Sequence, residues 1–378
     1  MSKLTRYKFK DICLDNGFIR GPFGSALKKS LFVPKSEDTY KVYEQCVPLE
    51  QDKSKGDYYI TGDYFRKSLR RFEVKHNDFL VSCSGVNYGA IYHLTEPFEK
   101  GVINQALLII RVNDKIVDYN YFKYLFRIVL SRAITAGTGD STIPNFPSVD
   151  VIKDIDVCLP TIDVQKKIGA ILNCIDEKIT NNNHVNDCLL QIAYDTYMHT
   201  FFSKKPNGSL GQIIVENCKS NIQVGKAKGR SGSFPFFTSG DAILEWNECM
   251  IDGRNCFLNT GGNADVKFYI GGAAYSTDTW CITATKNLED YLYLLLLSIK
   301  PELNQKFFQG TGLKHLQKPL LKDRKIYIPS DSEINDFNSK VQPLMNMISS
   351  NTRENRYLMS LRDWLLPMLM NGQVTVNN

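Results

Sequence analysis

Two stretches of this chain, PTIDVQKKIGAILNCIDEKI at 160–179 and PSDSEINDFNSKVQPLMNMI at 329–348, lie on one another without a gap, proline on proline. Ile168 then falls on Phe337, Leu172 on Val341, Ile175 on Leu344 and Ile179 on Ile348. Steps of four, three and four residues keep one stripe of a helix facing one partner, the period of a coiled-coil seam. Two such stripes in one chain most simply bury each other, as an intramolecular antiparallel pair. Each copy extends over roughly 40 residues, about 60 Å if wholly helical.

Carrying the step onward puts Asn182 and Asn186 in the first copy, and Asn351 and Asn355 in the second, at seam positions. Two readings are open there. Buried amides at a seam cost stability but reject slipped registers, because a slip leaves them unpaired. Alternatively the helices break, since ITNNNHVN and SSNTRENR are poor helix formers. Pro343 points to a kink or local break in the second copy.

The material around the helices is also written twice. GTGDSTIPNF begins at Gly137 and GTGLKHLQKP at Gly310; each leads through a short β-like run, IDVCLP or KIYIP, into a helix pattern. Upstream, DFLVSCSGVNYGAIYHL, NQALLIIRV and DYNYFKYLFRIVL run in the same order as CFLNTGGNADVKFYI, DTWCITAT and EDYLYLLLLSI: hairpin, strand, helix. The expected fold is α+β with an internal pseudo-twofold repeat. Globular domains at 1–160 and 205–329 alternate with long helices at 161–204 and 330–378, and a length of 378 residues suits two cores.

Composition narrows the class. An apolar fraction of 43% with 23% charged residues is ordinary for a soluble protein, and a net charge of +6 permits a nucleic-acid partner without requiring one. Ten cysteines are scattered with no C-x-x-C, and five histidines show no zinc spacing, so free thiols in a reducing cytoplasm and no metal are expected. The start lacks the apolar core of a signal peptide. The most apolar run, YLYLLLLSI at 291–299, is far short of the roughly 20 residues a membrane helix needs.

No catalytic constellation stands out. There is no P-loop and no Pro-Pro dipeptide, so the D/N-P-P-Y/F signature of amino-methyltransferases is absent. SCSGVNYG at 82–89 does not satisfy G-x-S-x-G, and NTGGNADV at 259–266 reads as a hairpin turn rather than a dinucleotide loop. Basic residues do cluster. RKSLRRFEVK at 66–75 has five against one acid, and KSNIQVGKAKGR at 219–230 has four and no acid. Such loops suit phosphate contact, and a solvated basic surface is the plain alternative for either cluster; their presence in both halves favours nucleic acid.

Two globular domains, two duplicated helices and no catalytic motif together resemble the specificity subunits of type I restriction-modification systems, over nearly the whole chain. RGPFGSALKKSLFV (20–33) looks like the opening of a first target-recognition domain. LPTIDVQKKIGAILNCIDEKI (159–179) resembles the family's central conserved region, and FQGTGLKHLQKPLL (308–321) the loop that closes a recognition domain. Two positions depart from the usual Glu-Gln pair: Val164 precedes Gln165 in the first copy, and Ile334 follows Glu333 in the second. The resemblance implies that each recognition domain reads one half of a bipartite, asymmetric duplex DNA target. It implies that the helices form the spacer ruler and dock two methyltransferase subunits. Those subunits bring S-adenosylmethionine, the chain itself holds no cofactor, and restriction subunits join the assembly.

By residue type and loop position, Lys28, Lys29, Arg66, Lys67, Arg70 and Arg71 are the candidates for phosphate contact in the first domain. Lys226, Lys228, Arg230 and Lys314 are those in the second, while Ser84, Asn87, Asn259, Asn263 and His315 are candidates for base edges. His315 serves equally well as a cap for the next segment. Two rivals stand beside this reading: an enzyme with an unseen motif, and a coiled-coil adaptor joining two protein-binding domains. The adaptor predicts affinity without steep salt dependence.

Overall fold

The run Leu107–Val112 (LLIIRV) is apolar at five of six positions, which only a strand covered on both faces can use. In the computed structural model, which describes residues 4–85, 87–137 and 146–373, that strand is central to the first of two compact units. The first unit comprises 1–177 with 359–378, and the second 178–358. The division falls inside both long helices, so each unit takes a share of each helix.

Among the described residues nine strands build the first unit: β1 (Thr5–Lys8), β2 (Cys13–Arg20), β3 (Thr39–Tyr43), β4 (Tyr59–Thr61), β5 (Phe79–Ser82), β6 (Ile91–His93), β7 (Gly101–Ile103), β8 (Leu107–Val112) and β9 (Asp156–Leu159). An antiparallel sheet in the order β2-β8-β5-β6 carries the core. Its side chains alternate with period two. Phe79, Val81, Leu108 and Ile110 face helix α1 (Tyr119–Gly137), while Leu80, Leu107 and Ile109 face Tyr43 and Ile103 of a three-stranded sheet, β4-β3-β7. β9 then returns antiparallel to β1 and delivers the chain into α2 (Ile162–Tyr197).

The second unit repeats this plan with β10 (Gly208–Ser209), β11 (Ile214–Glu216), β12 (Phe234–Phe237), β13 (Ile243–Trp246), β14 (Arg254–Asn259), β15 (Val266–Ile270), β16 (Ala274–Tyr275), β17 (Thr279–Ala284), β18 (Phe308–Gln309), β19 (His315–Leu316) and β20 (Lys325–Ile326). The large sheet runs β11-β17-β14-β15 and the small one β13-β12-β16. In each small sheet the middle strand pairs antiparallel on one side and parallel on the other. Helix α3 (Glu289–Ser298) stands where α1 does, β20 pairs β10 as β9 pairs β1, and α4 (Asp331–Met370) follows. The duplication read in the sequence is thus a repeat of topology in both sheets and in the strand pair before each long helix; the β18–β19 hairpin has no counterpart among the described residues. Of the two G-T-G loops only the second can be compared, because 138–145 lie outside the described residues.

The long helices differ from expectation in one respect. Their apolar stripes do not serve mainly to bury each other. Ile168 and Leu172 enter the core of the first unit, and Ile175 is buried beside them in sequence while Ile179 is half-buried. Phe337 and Val341 enter the core of the second unit, with Leu344 and Ile348 packed against it. The helix ends do likewise: Leu369 and Met370 join the first core, and Ala193, Tyr197 and Phe201 the second. An amphipathic helix buries its stripe against the larger apolar surface on offer, and here that surface is the sheet-and-helix layer of each unit.

Midway along the helices what joins them is polar, while just beyond Tyr197 the ring of Phe201 also meets Phe337 edge-on (5.1 Å). Within the second unit Asn182 donates to Asn355 Oδ1 (2.9 Å) and to Glu354 Oε2 (2.7 Å), Asn355 to Asn183 Oδ1 (2.8 Å), and Asn351 to Asn186 Oδ1 (2.9 Å). Neither helix breaks at its asparagines, which settles the two open readings in favour of paired amides. Nor does α4 break at Pro343. The one backbone bond lost there is offset by burial of Val341 and Met345 on either side. In the first unit the joint is ionic: Asp176 on α2 accepts from Arg362 on α4 (2.9 Å) and from Tyr124 on α1 (2.7 Å). Burial opposes its charge, but Arg362 and Tyr124 prevail and hold its carboxyl below the usual range.

The departures around Pro160 and Pro329 also acquire a reason. Gln165 is buried and ties the turn to the start of α1, accepting from Asp118 N–H (3.0 Å) and donating to Ile116 O (3.0 Å) and Pro160 O (2.9 Å). In the second copy Glu333 caps its own helix, accepting from Ser330 N–H (2.8 Å) and Tyr327 Oη (2.9 Å). Ile334, laid on Gln165, is core.

Asn355→Leu should lower stability by about 1–3 kcal/mol, because it removes one of the two partners of the buried Asn182 amide and the donor to Asn183 Oδ1. The double change Asn182→Leu/Asn355→Leu should cost less than the two singles summed. Urea unfolding of the four proteins in that cycle measures both.

Candidate nucleic-acid interface

Chain order fixes where the variable parts of each unit must go. In the first unit the segments leaving β2, β3 and β5 and entering β8 converge on one rim. Gly21 N–H donates to Leu107 O (2.9 Å), and a Cβ on Gly21 would overlap the Asn104 carbonyl. Cys83 N–H donates to Ala106 O (2.8 Å), Ser84 Oγ donates to Gln45 Oε1 (3.1 Å), and Gln45 Nε2 returns a bond to Ser84 O. Arg20, the last residue of β2, lies over the Phe146 ring (5.9 Å). Burial pushes the Cys83 thiol up to about 12, with Arg20 opposing, so this cysteine is neutral.

Equivalent segments converge in the second unit. Asp278 O accepts from Thr260 N–H (3.1 Å), Thr260 Oγ1 (2.9 Å) and Ser239 Oγ. Gly262 N–H donates to Lys314 O (2.9 Å), and Gly261 bridges to His315, so the β14–β15 loop and the β18–β19 hairpin lie side by side. The loop NTGGNADV therefore closes a hairpin, as its spacing implies.

The basic clusters gather on the small sheets. Leu27 and Phe32, which flank Lys28 and Lys29, pack with Phe65 and Leu69 over Val42 and Ile60, and Tyr64 Oη donates to Ala26 O (2.9 Å). Lys28, Lys29, Lys67, Arg70 and Arg71 are thereby brought to one side of β4-β3-β7, all exposed. In the second unit Ala227 seats the turn Val224–Ala227 on Phe236 and Ala274 of β13-β12-β16, which carries Lys226, Lys228 and Arg230 outward. Arg230 lies over the Trp246 ring (5.3 Å). The Lys28–Lys29 turn and the Lys226–Arg230 segment lie between equivalent strands of the repeat, β2–β3 and β11–β12, whereas Lys67, Arg70 and Arg71 lie between β4 and β5.

Two candidates are placed otherwise. Arg66 is spent on carboxylates: Asp63 (2.6 Å) and Asp38 (3.4 Å), with the Asp63 hydrogen bond holding its charge. Asn259 is 5% exposed, not a loop residue but the last of β14, where it pairs with Thr279. Its amide donates to Gly261 O (3.2 Å) and Asn263 O and accepts from Asp265 N–H (2.7 Å), so it builds the loop instead of reading through it. Ser84, Asn87, Asn263, Lys314 and His315 are exposed on the rims. His315 sits in β19 and does not cap the helical turn Lys318–Lys322, whose N-cap is Gln317. Type and loop position alone could not single out Arg20, Gln45 or Gln105, because only strand pairing brings them to a rim.

A model of the type I restriction modification DNA specificity domain matches the chain twice, at 39–191 and 201–355. The chain belongs to that family. The second match takes in one small sheet, one large sheet and part of a long helix; the first does the same except for β2, which precedes it. The specificity subunit of the type I restriction enzyme MjaIX from Methanocaldococcus jannaschii is 22% identical over 367 residues, 85% of this chain and 83% of that one. The EcoDI specificity subunit of Escherichia coli is 24% identical over 174 residues, 44% of this chain and 38% of the relative. The crystal structure of a type I restriction-modification S subunit from M. genitalium shares the fold, with a TM-score of 0.58 at 15% identity over 98% of this chain and 96% of that one. No helix among the described residues is long and apolar enough to cross a membrane.

Asn259→Ala should lower the melting temperature, since a buried amide with three backbone partners costs about 1–3 kcal/mol to remove. The exposed Asn263→Ala should leave melting unchanged. Differential scanning calorimetry of the two variants separates loop-building from surface residues.

Proposed function

We propose that this chain supplies the DNA sequence specificity of a type I restriction-modification complex, with each unit reading one half of a split, asymmetric target. One observation carries the reading. The strand order and the seating of the basic turn are the same in both units, whereas the rims differ residue by residue. A duplicated scaffold with diverged rims suits two different half-sites read by one kind of machine. The exposed cations would hold phosphates and set orientation, and the rim side chains would meet base edges.

In this reading the chain is itself non-catalytic and works in the cytoplasm. The long helices set the unread spacer and dock two methyltransferase subunits, which supply S-adenosylmethionine and the methylating site, and restriction subunits complete the assembly. The exposed apolar residues of the helices, Ile192, Met347, Tyr357 and Trp364 among them, suit such docking.

Sequencing of methylated adenines in cells with and without the chain should reveal one split motif with a constant gap that depends on it. Exchanging residues 205–329 for those of another family member should change one half of the motif only. If no methylated motif depends on the chain, the reading fails. In the purified complex, Lys28→Ala/Lys29→Ala should weaken binding to all sequences alike and reduce the slope of log affinity against log salt by about 2, roughly one per phosphate contact.

A further inference from the structure

Phe23 is 88% exposed, more than any other large apolar side chain among the described residues. Its backbone is not loose. Gly21 is pressed against the Asn104 carbonyl, Pro22 is buried, and Phe23 O accepts from Ala26 N–H (2.9 Å). On the other side a Cβ on Gly24 would lie 2.5 Å from Gln105 Oε1, so the Gln105 amide rests directly against this turn. Gly21 is required for that backbone approach, Gly24 leaves room for the Gln105 amide, and the ring between them lies outward, on the rim shared with Gln45 and Ser84. Burying such a ring elsewhere would contribute about 1.5–3 kcal/mol to the fold, a gain this turn forgoes.

The neighbours say what would cover the ring. Lys28 and Lys29, a few residues on, are exposed and have no carboxylate partner among the described residues, so the turn faces a polyanion more readily than an apolar protein surface. Gln105 is exposed, and among the described residues no side chain holds its amide. A glutamine amide pairs with N7 and N6 of adenine in the major groove, and the same base pair offers there the C5-methyl of its thymine. An amide resting against the turn that carries the phenyl ring matches that edge in both of its chemistries.

Resting on the DNA-specificity reading, we propose that Gln105 and Phe23 recognise an A·T pair in the half-site of the first unit, Gln105 on the adenine and Phe23 on the thymine methyl. Phe23 is then a specificity-determining residue, contributing through contact and not charge.

The test uses the complete complex of this chain with its methyltransferase subunits and duplexes bearing the split target. Each thymine of the first half-site is replaced in turn by deoxyuridine, which lacks only the methyl. Wild type should lose about four- to tenfold in affinity at one such position. Phe23→Ala should lose a similar factor on the thymine duplex and nothing further on the deoxyuridine one, while Phe23→Leu keeps part of the preference. Gln105→Ala should lose discrimination at the same pair. Both side chains are exposed, so unchanged melting of each variant is expected and checked.

If no thymine responds to loss of its methyl, or if the response persists in Phe23→Ala, the assignment is wrong. A loss of affinity in Phe23→Ala that is independent of the methyl would instead point to insertion between bases, and also overturns it. Failure of the wild-type complex to prefer any split target would overturn the specificity reading itself, a result separate from a Phe23→Ala protein that behaves as wild type.

Discussion

Neither globular unit closes its core without the long helices. Ile168, Leu172, Leu369 and Met370 complete the first core, and Ala193, Tyr197, Phe201, Ile334, Phe337 and Val341 the second. Each helix therefore contributes apolar residues at both of its ends to different cores. The stripe of each helix is committed largely to a sheet-and-helix layer, and apart from the Phe201–Phe337 contact little of that stripe is left to hold one helix to the other. Amides and ions take over that task. The exchange has a physical logic: apolar contacts are strong but non-directional, whereas a paired amide is satisfied in one register only.

The same commitment divides each unit into a part that cannot vary and a part that can. A strand buried on both faces, such as β8 or β14, tolerates neither a polar substitution nor a one-residue slip. Buried ion pairs reinforce the frame. Arg111 meets Asp78 at 2.7 and 3.0 Å in the first unit, and Arg254 meets Asp290 at 2.7 and 2.8 Å in the second. These pairs join different elements in the two copies. The loops at the rim carry no such load. Their backbone bonds go largely to neighbouring loops, which leaves their side chains open to change without cost to the core.

The sequence disclosed the repeat because apolar periodicity survives divergence: Ile168 over Phe337 is a change of residue but not of environment. It disclosed the α+β class in short apolar runs such as Leu107 to Ile110, each followed by a helix pattern. Which surface a stripe packs on is not a periodic property. Ile168 reads the same whether it faces another helix or a sheet, and only the competition for apolar area decides. The asparagines were legible as seam positions, yet helix propensity alone pointed to breaks; a tertiary partner overrode it, as Asn182 and Asn355 show. At the rims the limits were sharper. Asn259 and Asn263 are the same residue type four positions apart, and pairing with Thr279 puts the first inside. Arg66 reads as a free cation until the fold brings Asp38 beside it.

These limits follow from what a recognition surface is. A core residue is constrained by its immediate neighbours in the strand or helix, which the sequence displays. A rim residue is constrained by segments that strand pairing brings from far along the chain: Arg20 by Phe146, Gln45 by Ser84, Gly24 by Gln105. The frame must be built first, and its glycines must let two backbones approach, before any of those side chains acquires a direction. Specificity can then diverge between the copies at little cost to stability, because a substitution at a rim alters what is presented without altering what presents it. That separation allows one duplicated unit to serve two different half-sites.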